Sequence, residues 1–374
     1  MNWCRCCLLP DTRPHLRIGP DGVCNACVAH AGKAAIDWDA RYRRLQAVAA
    51  AARAQGKNGY DCLIPVSGGK DSTWQTVKCL ELGLKPLAVT WKPPGRTEVG
   101  RRNLENLIAL GVDHVDYAIS PEVERRFMLE TFARCGSTAI PMHLALFNIP
   151  LMLAVRLRIP LVVWGENSAF EYGSADEADT GFRLDARWLA TYGVTQGTTA
   201  ADWVSERLTA KDLTAYFGPT EEELTAAGVR AIFLGYYLRW DPDETRRIAL
   251  QHGFRPDPAG PRTGYYDFAD IDDDFISLHH WMKWYKFGFT RLFDNLSLEI
   301  RNERMCRDDA LAIVRSAGDQ TPWADIKRFC QFANIGQSRF LAIAERFRNP
   351  RIWVRRADGC WQIPDFLIPD WNWR

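Results

Sequence analysis

Short apolar segments alternate with helical segments in the first half of the chain, and this alternation limits the possible folds more than any other feature. Four apolar segments predict buried strands, at 60–66, 85–91, 113–119 and 159–165. The segments between them predict helices, at 71–82, 100–111, 122–134 and 144–157. Strands that alternate with helices form a parallel sheet through right-handed crossovers, with helices on both faces. The sequence therefore predicts an α/β fold built on such a sheet.

The rest of the chain differs in composition from this α/β region. Residues 1–30 hold five of the 11 cysteines and few residues that could form a core. The later segments predict helices at 37–55, 209–229, 241–254 and within 275–345, and a fifth strand at 230–240. These changes divide the chain into a cysteine module at 1–35, an α/β domain at 36–240 with 174–229 as a candidate insertion, and a helical, aromatic-rich region at 241–374.

Charge and hydropathy indicate which classes of partner to expect. The chain carries 47 basic and 46 acidic residues, a net charge of +1, so bulk electrostatic binding of nucleic acid is not expected. The most apolar run, 139–165, is interrupted by Pro and Arg, and it predicts a buried helix and strand rather than a membrane span. Because the N-terminus has no apolar signal segment and the cysteine count is odd, we expect a cytoplasmic protein without a disulfide framework.

Two Cys-x-x-Cys pairs lie near the N-terminus. Cys4 and Cys7 form the first pair, and Cys24 and Cys27 form the second. Four thiolates in two such pairs match a tetrahedral zinc site, and metal binding would stabilise a segment too small to fold alone. Cys6 is a fifth thiol that could replace Cys7. A redox or sulfur-relay role is the alternative to a structural metal site.

The first predicted strand runs into the sequence Ser-Gly-Gly-Lys-Asp-Ser, residues 67–72, and a helix follows. The glycines permit a tight turn, and the free N–H groups at the start of a helix attract an anion. Lys70 adds a cation and Ser72 a hydroxyl. A Walker A loop is excluded, because Lys70 is followed by Asp71 and position 64 is not glycine. Asp71 would repel a phosphate unless it also binds Mg²⁺, so the loop predicts a site for magnesium-bound phosphates.

A second polar segment, 164–173, follows the fourth predicted strand and reads Trp-Gly-Glu-Asn-Ser-Ala-Phe-Glu-Tyr-Gly. The carboxyl ends of parallel strands meet at one edge of a sheet, so Glu166, Asn167 and Glu171 should face the same crevice as the loop. A pair of carboxylates at this edge could hold Mg²⁺ against the phosphates of ATP.

The loop resembles that of the PP-loop, or N-type, ATP pyrophosphatases, which binds the pyrophosphate that leaves when ATP adenylates a substrate. Six segments follow one another along the chain: WCRCCLLPDTRPHLRIGPDGVCNAC, PVSGGKDSTWQ, RRNLENLIALGVDHV, WGENSAFEYG, FLGYYLRWD and KFGFTRLFDNLSLEIRNERM. Together they resemble the N-acetyl sugar amidotransferase family of O-antigen and nonulosonic-acid biosynthesis, over residues 1–350. The resemblance implies a HUP-like fold, the use of ATP, Mg²⁺ and Zn²⁺, and an acetamido-to-acetamidino conversion on a nucleotide-activated sugar.

The resemblance also implies roles for individual residues. Lys70, Asp71 and Glu166 would be catalytic, and Asp71 would bind Mg²⁺. The contacts to ATP and pyrophosphate would come from Ser67, Gly68, Gly69, Lys70, Asp71, Ser72, Thr90, Gly165 and Asn167. The sugar contacts would come from Glu171, Lys283, Lys286, Arg291 and Arg301. The candidate proton acceptors are His143, His279 and His280. The sequence departs from the family's pattern at Asn295, where many relatives have histidine.

The implied reaction needs ammonia, and the sequence shows no site that would release it. None of the cysteines lies in a glutaminase turn such as G-x-C-x-G, and residue 2 is Asn rather than an N-terminal nucleophile. The resemblance therefore implies a separate glutaminase subunit, like that of imidazole glycerol phosphate synthase. Two alternatives stay open. One is an RNA sulfurtransferase, which would need a catalytic thiol such as Cys79 or Cys135, and the other is a non-catalytic nucleotide-binding scaffold.

Overall fold

Five parallel strands form the central sheet of the computed structural model, which describes residues 1–56, 58–174, 180–318 and 320–373. The strands are β1 (Cys62–Pro65), β2 (Pro86–Trp91), β3 (Asp113–Tyr117), β4 (Leu161–Trp164) and β5 (Arg230–Phe233). Their order across the sheet is β3-β2-β1-β4-β5, and each neighbouring pair is parallel. The predicted α/β fold is therefore confirmed.

Helices flank the sheet and build most of the C-terminal region. In chain order they are α1 (Asn25–Gly32), α2 (Trp38–Gln55), α3 (Lys70–Glu81), α4 (Glu98–Ile108), α5 (Pro121–Cys135), α6 (Ile140–Leu157), α7 (Ser168–Tyr172), α8 (Ala186–Tyr192), α9 (Glu221–Ala226), α10 (Leu234–Tyr237), α11 (Pro242–Gln251), α12 (Ile276–Phe287), α13 (Arg291–Arg301), α14 (Arg307–Ala317), α15 (Trp323–Ala333) and α16 (Gln337–Glu345). Short 3₁₀ helices occupy Lys33–Ala35, Ala200–Trp203 and Thr214–Tyr216. An antiparallel hairpin of β6 (Val354–Arg355) and β7 (Trp361–Gln362) follows α16.

Both faces of the sheet are buried, because successive strand residues point to opposite sides. Leu63 and Val162 pack with α5 and α6 in one core, whereas Ile64 and Val163 pack with α2, α3 and α4 in another. A strand that is covered on both faces needs apolar side chains at nearly every position. This explains why the strands read as continuous apolar segments rather than as alternating ones.

Helix α6 alone among the described helices is long and apolar enough to cross a membrane by length and composition. Half of its residues are buried inside the fold, where Leu144, Ile149 and Ala154 belong to the core on one face of the sheet. Pro141 lies in its first turn, where a missing N–H costs no helical hydrogen bond. The predicted buried helix and strand of this segment are therefore confirmed as α6 and β4.

The fifth strand is shorter than the sequence predicts, since β5 ends at Phe233 and the chain turns directly into α10. The turn brings Gly235 against the loop after β4, where its N–H donates to the carbonyl oxygen of Gly165 at 3.0 Å. A Cβ atom on Gly235 would lie 3.2 Å from the Cα of Glu166. The predicted extension of this strand to residue 240 is thus wrong, because a tertiary contact bends the apolar segment.

The predicted long helix at 209–229 is also wrong. The segment forms a 3₁₀ turn and, after a break, the short helix α9. Helix α9 begins at a capping box formed by Thr220 and Glu223, as the acidic sequence after Thr220 predicts. The polar segment upstream was predicted to be a loop, and its residues 175–179 lie outside the described residues.

The cysteine module shares a hydrophobic core with the C-terminal region. Leu8 packs in one cluster with Phe293, Trp353 and Phe366. The Leu8 N–H also donates to the hydroxyl of Ser297 in α13 at 3.1 Å. The two ends of the chain therefore build one core, and the division into three domains stays a prediction.

Gly68 lies in the loop that joins β1 to α3, at a point where two backbones nearly touch. Its φ is +88°, a conformation that favours glycine. A Cβ atom here would lie 2.5 Å from the backbone nitrogen of Leu104 in α4. Gly111 also has a positive φ, +94°, but a Cβ atom there would meet nothing within 4 Å. The loop therefore needs glycine at position 68 for two separate reasons.

Replacing Gly68 by alanine should destabilise the fold more than the matched change Gly111→Ala. Both variants place alanine in a left-handed backbone at a cost of about 1–2 kcal/mol, and Gly68→Ala adds an overlap that costs about 1–3 kcal/mol more. Urea unfolding followed by circular dichroism measures the difference in the free energy of unfolding. Equal losses in the two variants would contradict the close approach of the loop to α4.

Candidate functional site

A crevice of about 180 Å³ opens at the edge of the sheet where β1 and β4 end. These strands are neighbours although β2 and β3 lie between them in sequence, so the strand order reverses at this point. In open parallel sheets, ligands bind at such a reversal, outside the carboxyl ends of the strands. Its lining includes Ser67, Gly69, Lys70, Asp71 and Ser72 from the loop after β1, and Glu166 from the end of β4.

Hydrogen bonds within the loop hold it at the start of α3. The Gly68 N–H donates to Ser72 Oγ at 3.2 Å, and the Ser72 hydroxyl donates to the Gly69 carbonyl oxygen at 3.0 Å. The Gly69 N–H donates to Ser67 Oγ at 3.3 Å. The first N–H groups of a helix have no partners inside the helix, and they carry the positive end of its dipole. The loop therefore presents the positive end of the α3 dipole to the crevice.

Lys70 and Asp71 form an ion pair on the wall of the crevice. The Lys70 side chain is buried, and its ammonium lies 5.3 Å from the ring centre of Trp240. The indole N–H of Trp240 donates to Asp71 Oδ1 at 2.9 Å. About a third of the Asp71 side chain, 32%, remains exposed. One tryptophan thus holds both charged groups, and the carboxylate stays accessible to a cation or ligand.

Glu166 faces the same crevice from the end of β4. Burial raises the pKa of its carboxyl group to about 7, and the negative charge of Asp71 adds to the shift. The group therefore changes its protonation state near neutral pH. A general acid or base works best when its pKa lies near the working pH, so Glu166 has the property that proton transfer requires.

A segment of the C-terminal region that was not predicted to belong to the site closes the crevice. Asp270 and Asp272 both belong to the lining, and Asp270 accepts a hydrogen bond from Arg291 Nε at 2.9 Å. Burial raises the pKa of Asp272. The acidic run Asp-Ile-Asp-Asp-Asp at 270–274 is the signal that could have identified the segment. Its distance from the loop in sequence gives no indication that the two meet.

Asn295 also lines the crevice, at the position where the resemblance implies histidine. Its side-chain oxygen accepts a hydrogen bond from the Tyr265 N–H at 3.0 Å. An amide at this place can position a ligand, but it cannot exchange a proton near neutral pH as histidine does. The ionisable groups of the crevice are therefore mainly carboxyl groups.

Some predicted ATP-binding residues lie outside the crevice lining, namely Gly68, Thr90, Gly165 and Asn167. The Thr90 hydroxyl donates to the Val66 carbonyl oxygen at 2.7 Å, so it braces the start of the loop from β2. Asn167 Oδ1 accepts from the Ala169 N–H and from the indole N–H of Trp188, at 2.9 and 3.0 Å. These side chains have structural partners, and their contacts with ATP stay predictions.

Among the predicted sugar-binding residues, Arg291 lines the crevice and the other four do not: Glu171, Lys283, Lys286 and Arg301. Lys283 of α12 pairs with Asp294 of α13, with 2.9 Å between Nζ and Oδ2. Arg13 of the cysteine module pairs with the same carboxylate, with 2.9 Å between Nε and Oδ1. Burial lowers the pKa of Lys286 to about 8. The basic side chains of α12 thus take part in the packing of the C-terminal region, and their contacts with a sugar stay predictions.

Glu171 forms a buried ion pair with Lys33, which also comes from the cysteine module. Burial raises the pKa of the Glu171 carboxyl group, although the Lys33 charge opposes the shift. Arg301 is buried nearby, and its NH1 group donates to the Glu171 carbonyl oxygen at 3.4 Å. The cysteine module therefore supplies a buried cation behind the segment that follows β4.

The three histidines named as proton acceptors form a cluster between α6 and α12. The ring centres of His143 and His279 lie 5.9 Å apart, and those of His279 and His280 lie 5.5 Å apart. Burial lowers the pKa of all three, that of His143 to about 4. All three rings are therefore neutral near pH 7. Within the described residues, the Nδ1 atoms of His279 and His280 are buried without a hydrogen-bond partner.

The four cysteines of the two Cys-x-x-Cys pairs converge, with their Sγ atoms within 4.8 Å of one another. Cys4 and Cys27 are 4.0 Å apart, and Cys7 and Cys24 are 3.7 Å apart. A tetrahedral zinc site with Zn–S bonds of about 2.3 Å has sulfur atoms roughly 3.8 Å apart. Cys6 is exposed and outside the cluster. The predicted ligand set therefore fits a tetrahedral metal ion, and Cys7 rather than Cys6 completes it.

Comparison with known proteins concerns mainly the C-terminal region. Residues 262–366 match the family described as LPS biosynthesis protein WbpG-like, C-terminal domain. This match includes α12 to β7, and with them Arg291 and Asn295 of the crevice. No curated protein shows significant similarity to the chain.

Among solved structures, the NMN synthetase from Francisella tularensis is 12% identical to this chain. The superposition covers 80% of this chain and 94% of that chain, with a TM-score of 0.35. A likeness this weak carries neither fold nor function across to this chain.

The variant Cys7→Ser should lose a bound metal ion, whereas Cys6→Ser should keep it. Of these two cysteines, Cys7 belongs to the converging set and Cys6 does not, and loss of a structural metal costs about 4 kcal/mol or more. Elemental analysis of the purified proteins measures the metal content per chain, and thermal unfolding measures the stability. Equal metal content in the two variants would argue against the cluster as the binding site.

The variant Glu166→Gln should remove part of the pH dependence of stability. With a folded-state pKa raised from 4.5 to about 7, the folded protein holds a proton that the unfolded chain releases, so wild-type stability falls as the pH rises across this window. The loss amounts to at most about 3 kcal/mol, and water that reaches the side chain reduces it. Urea unfolding at pH 5 and pH 8 measures it.

The exposed residue Glu222 supplies the control for this experiment. The variant Glu222→Gln should keep the wild-type difference between pH 5 and pH 8, whereas Glu166→Gln should show a smaller difference. If the free energy of unfolding of Glu166→Gln changed between pH 5 and pH 8 as much as that of the wild type, the Glu166 carboxyl group would have to be ionised in the folded protein at pH 5.

Proposed function

We propose that this chain is an ATP-dependent amidotransferase that converts the N-acetyl group of a nucleotide-activated sugar into an acetamidino group, for the synthesis of a surface polysaccharide such as O-antigen. One observation carries the proposal: Lys70, Asp71 and Glu166 line a single crevice at the strand-order reversal of a parallel sheet. The resemblance of the loop at 67–72 to the PP-loop supports ATP as the substrate. The match of residues 262–366 to a WbpG-like domain supports the sugar pathway.

The first step in this proposal transfers AMP from ATP to the amide oxygen of the sugar's N-acetyl group. A bond forms between that oxygen and the α-phosphorus, and the bond to pyrophosphate breaks. The N–H groups at the start of α3 and the Lys70 ammonium stabilise the leaving pyrophosphate. When bound, Mg²⁺ neutralises phosphate charge, and Asp71 is the residue that would hold it.

The second step exchanges the activated oxygen for ammonia. Ammonia adds to the imidate carbon, its nitrogen loses a proton, and AMP leaves with the former amide oxygen. The products are the amidine, AMP and pyrophosphate. Glu166 is suited to accept the proton, because the pKa of its carboxyl group lies at about 7.

The proposal assigns the supply of ammonia to a separate glutaminase subunit of the imidazole glycerol phosphate synthase type. Ammonia released into water near pH 7 becomes ammonium, which has no lone pair for attack. Direct transfer between the subunits would keep it neutral. We propose that the two subunits work in the cytoplasm, where ATP and nucleotide-activated sugars are present.

The crevice gives no support to the alternative of sulfur transfer to RNA, which needs a thiol beside the activated atom. Cys79 is buried in the core between α3 and the sheet, and Cys135 packs at the end of α5. Of the cysteines in the part of the chain that the structure describes, none lines the crevice. The alternative of a non-catalytic scaffold is separated from the proposal by whether ATP is split.

The proposal is tested with purified protein, Mg-ATP, ammonium chloride and a panel of nucleotide-activated diacetamido sugars. We expect AMP, pyrophosphate and a sugar in which NH has replaced one oxygen, as detected by nucleotide chromatography and mass spectrometry. AMP and pyrophosphate without a change in the sugar would support adenylation and reject the sugar as acceptor. ADP with phosphate, or no turnover, would reject the proposal.

A lysine pair on α3 supplies the matched control. The variant Lys70→Ala should lower the rate of AMP formation about 100-fold or more, because it removes a charge that stabilises the leaving pyrophosphate. The variant Lys78→Ala should keep the wild-type rate, because Lys78 lies on the same helix, outside the crevice lining, and pairs with Glu81. Similar rates in the two variants would argue against Lys70 as a catalytic residue.

A further inference from the structure

A cavity of about 720 Å³ lies in the C-terminal region, and His280 and Arg291 are the residues with roles assigned above that line it. Six tryptophans contribute to its lining: Trp281, Trp284, Trp353, Trp361, Trp371 and Trp373. We refer to it as the tryptophan cavity. Its volume lies within the range of pockets that bind small organic ligands and is four times that of the crevice. It is thus large enough for a molecule of the size of a nucleotide-activated sugar.

The tryptophan cavity adjoins the crevice. Arg291 lines both spaces, and its Nε pairs at 2.9 Å with Asp270, which lines the crevice. His280 lines the tryptophan cavity, and its Nδ1 atom is 4.0 Å from Asp270 Oδ2. Arg291, His280 and Asp270 therefore mark the boundary between the two spaces. A ligand that occupies the cavity can place one end beside the residues that would bind ATP.

The walls of the cavity offer aromatic faces. The rings of Trp284 and Trp373 are stacked, with an angle of 13° between their planes and 6.3 Å between their centres. The ring centre of Trp371 lies 6.0 Å from that of Trp284. Trp284, Trp361, Trp371 and Trp373 are only partly buried, so parts of their rings remain open. Stacking on an aromatic side chain binds any nucleobase, because every base has a flat aromatic face. The open indoles thus suit the flat base of a nucleotide and the apolar face of a sugar ring.

The charged groups of the cavity indicate where a diphosphate would fit. Arg262 and Arg348 are held by carboxylates at 2.9 and 2.7 Å, and their side chains are mostly shielded from water. Arg315 pairs with Asp370 at 3.0 Å, and more than half of each side chain is exposed. An exposed ion pair contributes little free energy, so a phosphate can displace Asp370 from Arg315 at small cost.

The boundary also holds an unsatisfied polar atom. His280 is 5% exposed, and its Nδ1 atom has no hydrogen-bond partner among the described residues. A buried polar atom without a partner costs free energy, and a ligand that supplies the hydrogen bond recovers it. Because burial lowers the pKa of His280, the ring is neutral and can bond to an uncharged amide. An N-acetyl group is such a partner.

We propose that the tryptophan cavity binds the nucleotide-activated sugar, with its base on the open indoles and its N-acetyl group directed past His280 and Arg291 into the crevice. This assignment rests on the proposed amidotransferase function for the identity of the ligand. It places the substrate on aromatic residues of the C-terminal region and keeps Arg291 from the predicted sugar contacts, whereas Glu171, Lys283, Lys286 and Arg301 lie outside the cavity lining.

Binding of nucleotide sugars in the absence of ATP tests the assignment. The probes are the UDP, GDP, CMP and dTDP derivatives of N-acetyl sugars, each titrated into the full-length protein by isothermal calorimetry. At least one should bind to the wild type, and the double variant Trp371→Ala, Trp373→Ala should weaken it about tenfold or more. The control variant Trp323→Ala should bind with wild-type affinity, because Trp323 is 56% exposed and lies outside the cavity lining.

A titration with Mg-ATP in the same variants checks that the crevice is intact, and its affinity should be unchanged. An equal affinity of wild type and double variant for the sugar nucleotide would overturn the assignment, and so would the failure of every probe to bind to the wild type. Selective loss of sugar binding in a protein that forms no AMP would support the cavity and reject the amidotransferase. Normal turnover of the double variant with an unchanged KM for the sugar would support the amidotransferase and reject the cavity as the sugar-binding site.

Discussion

The pairing of β1 with β4 is the constraint on which the rest of the structure depends. Leu63 of β1 pairs with Val162 of β4 in the buried part of the sheet, so the carboxyl ends of the two strands lie side by side. One end leads into the glycine loop and α3, and the other leads into Glu166. If other strands separated β1 from β4, Lys70 and Glu166 would lie farther apart along this edge of the sheet. The chemistry of the crevice is thus a consequence of strand order more than of any single residue.

The balance of charge in the crevice restricts what can occupy it. Four carboxyl groups, those of Asp71, Glu166, Asp270 and Asp272, share the lining with two cations, Lys70 and Arg291. A bare phosphate would meet too much negative charge, and a bare metal ion would meet the ammonium of Lys70. A phosphate that arrives with its own cation satisfies both sets of groups. Burial adds a second restriction, because it raises the pKa of the Glu166 carboxyl group to about 7, and a bound cation would favour the ionised form.

Local features of the site could be predicted from the sequence, whereas its long-range contacts could not. The glycine loop, the helix after it and the two cysteine pairs each depend on residues close together in the chain, and their spacing carries the signal. The segment that holds Asp270 reaches the crevice only because the C-terminal helices fold back on the sheet. The same limit explains β5, which a contact of Gly235 with the loop after β4 ends early. No periodicity in the sequence records such contacts.

The basic residues show the limit most clearly. Lys283 and Lys286 lie three residues apart on α12, and this spacing does not reveal which partner each one meets. Lys283 is bound to Asp294, and Asp294 is also bound to Arg13 from the other end of the chain. A cation that looks available in the sequence is therefore already neutralised in the fold. The aromatic residues near residue 373 show the opposite case, since a segment without periodicity lines a cavity of about 720 Å³.

The shared core of the two chain ends has a consequence for synthesis on the ribosome. Leu8 packs in one cluster with Phe293 and Phe366, so the cysteine module is synthesised well before the segments that it packs against. At about 5–20 residues per second, the interval between them is roughly 15 to 70 seconds. During that time the cysteine module has no apolar partner, and its thiols are open to oxidation or to the wrong metal. Early binding of a metal ion to the four cysteines would fold the cysteine module before its partners in the C-terminal region are synthesised.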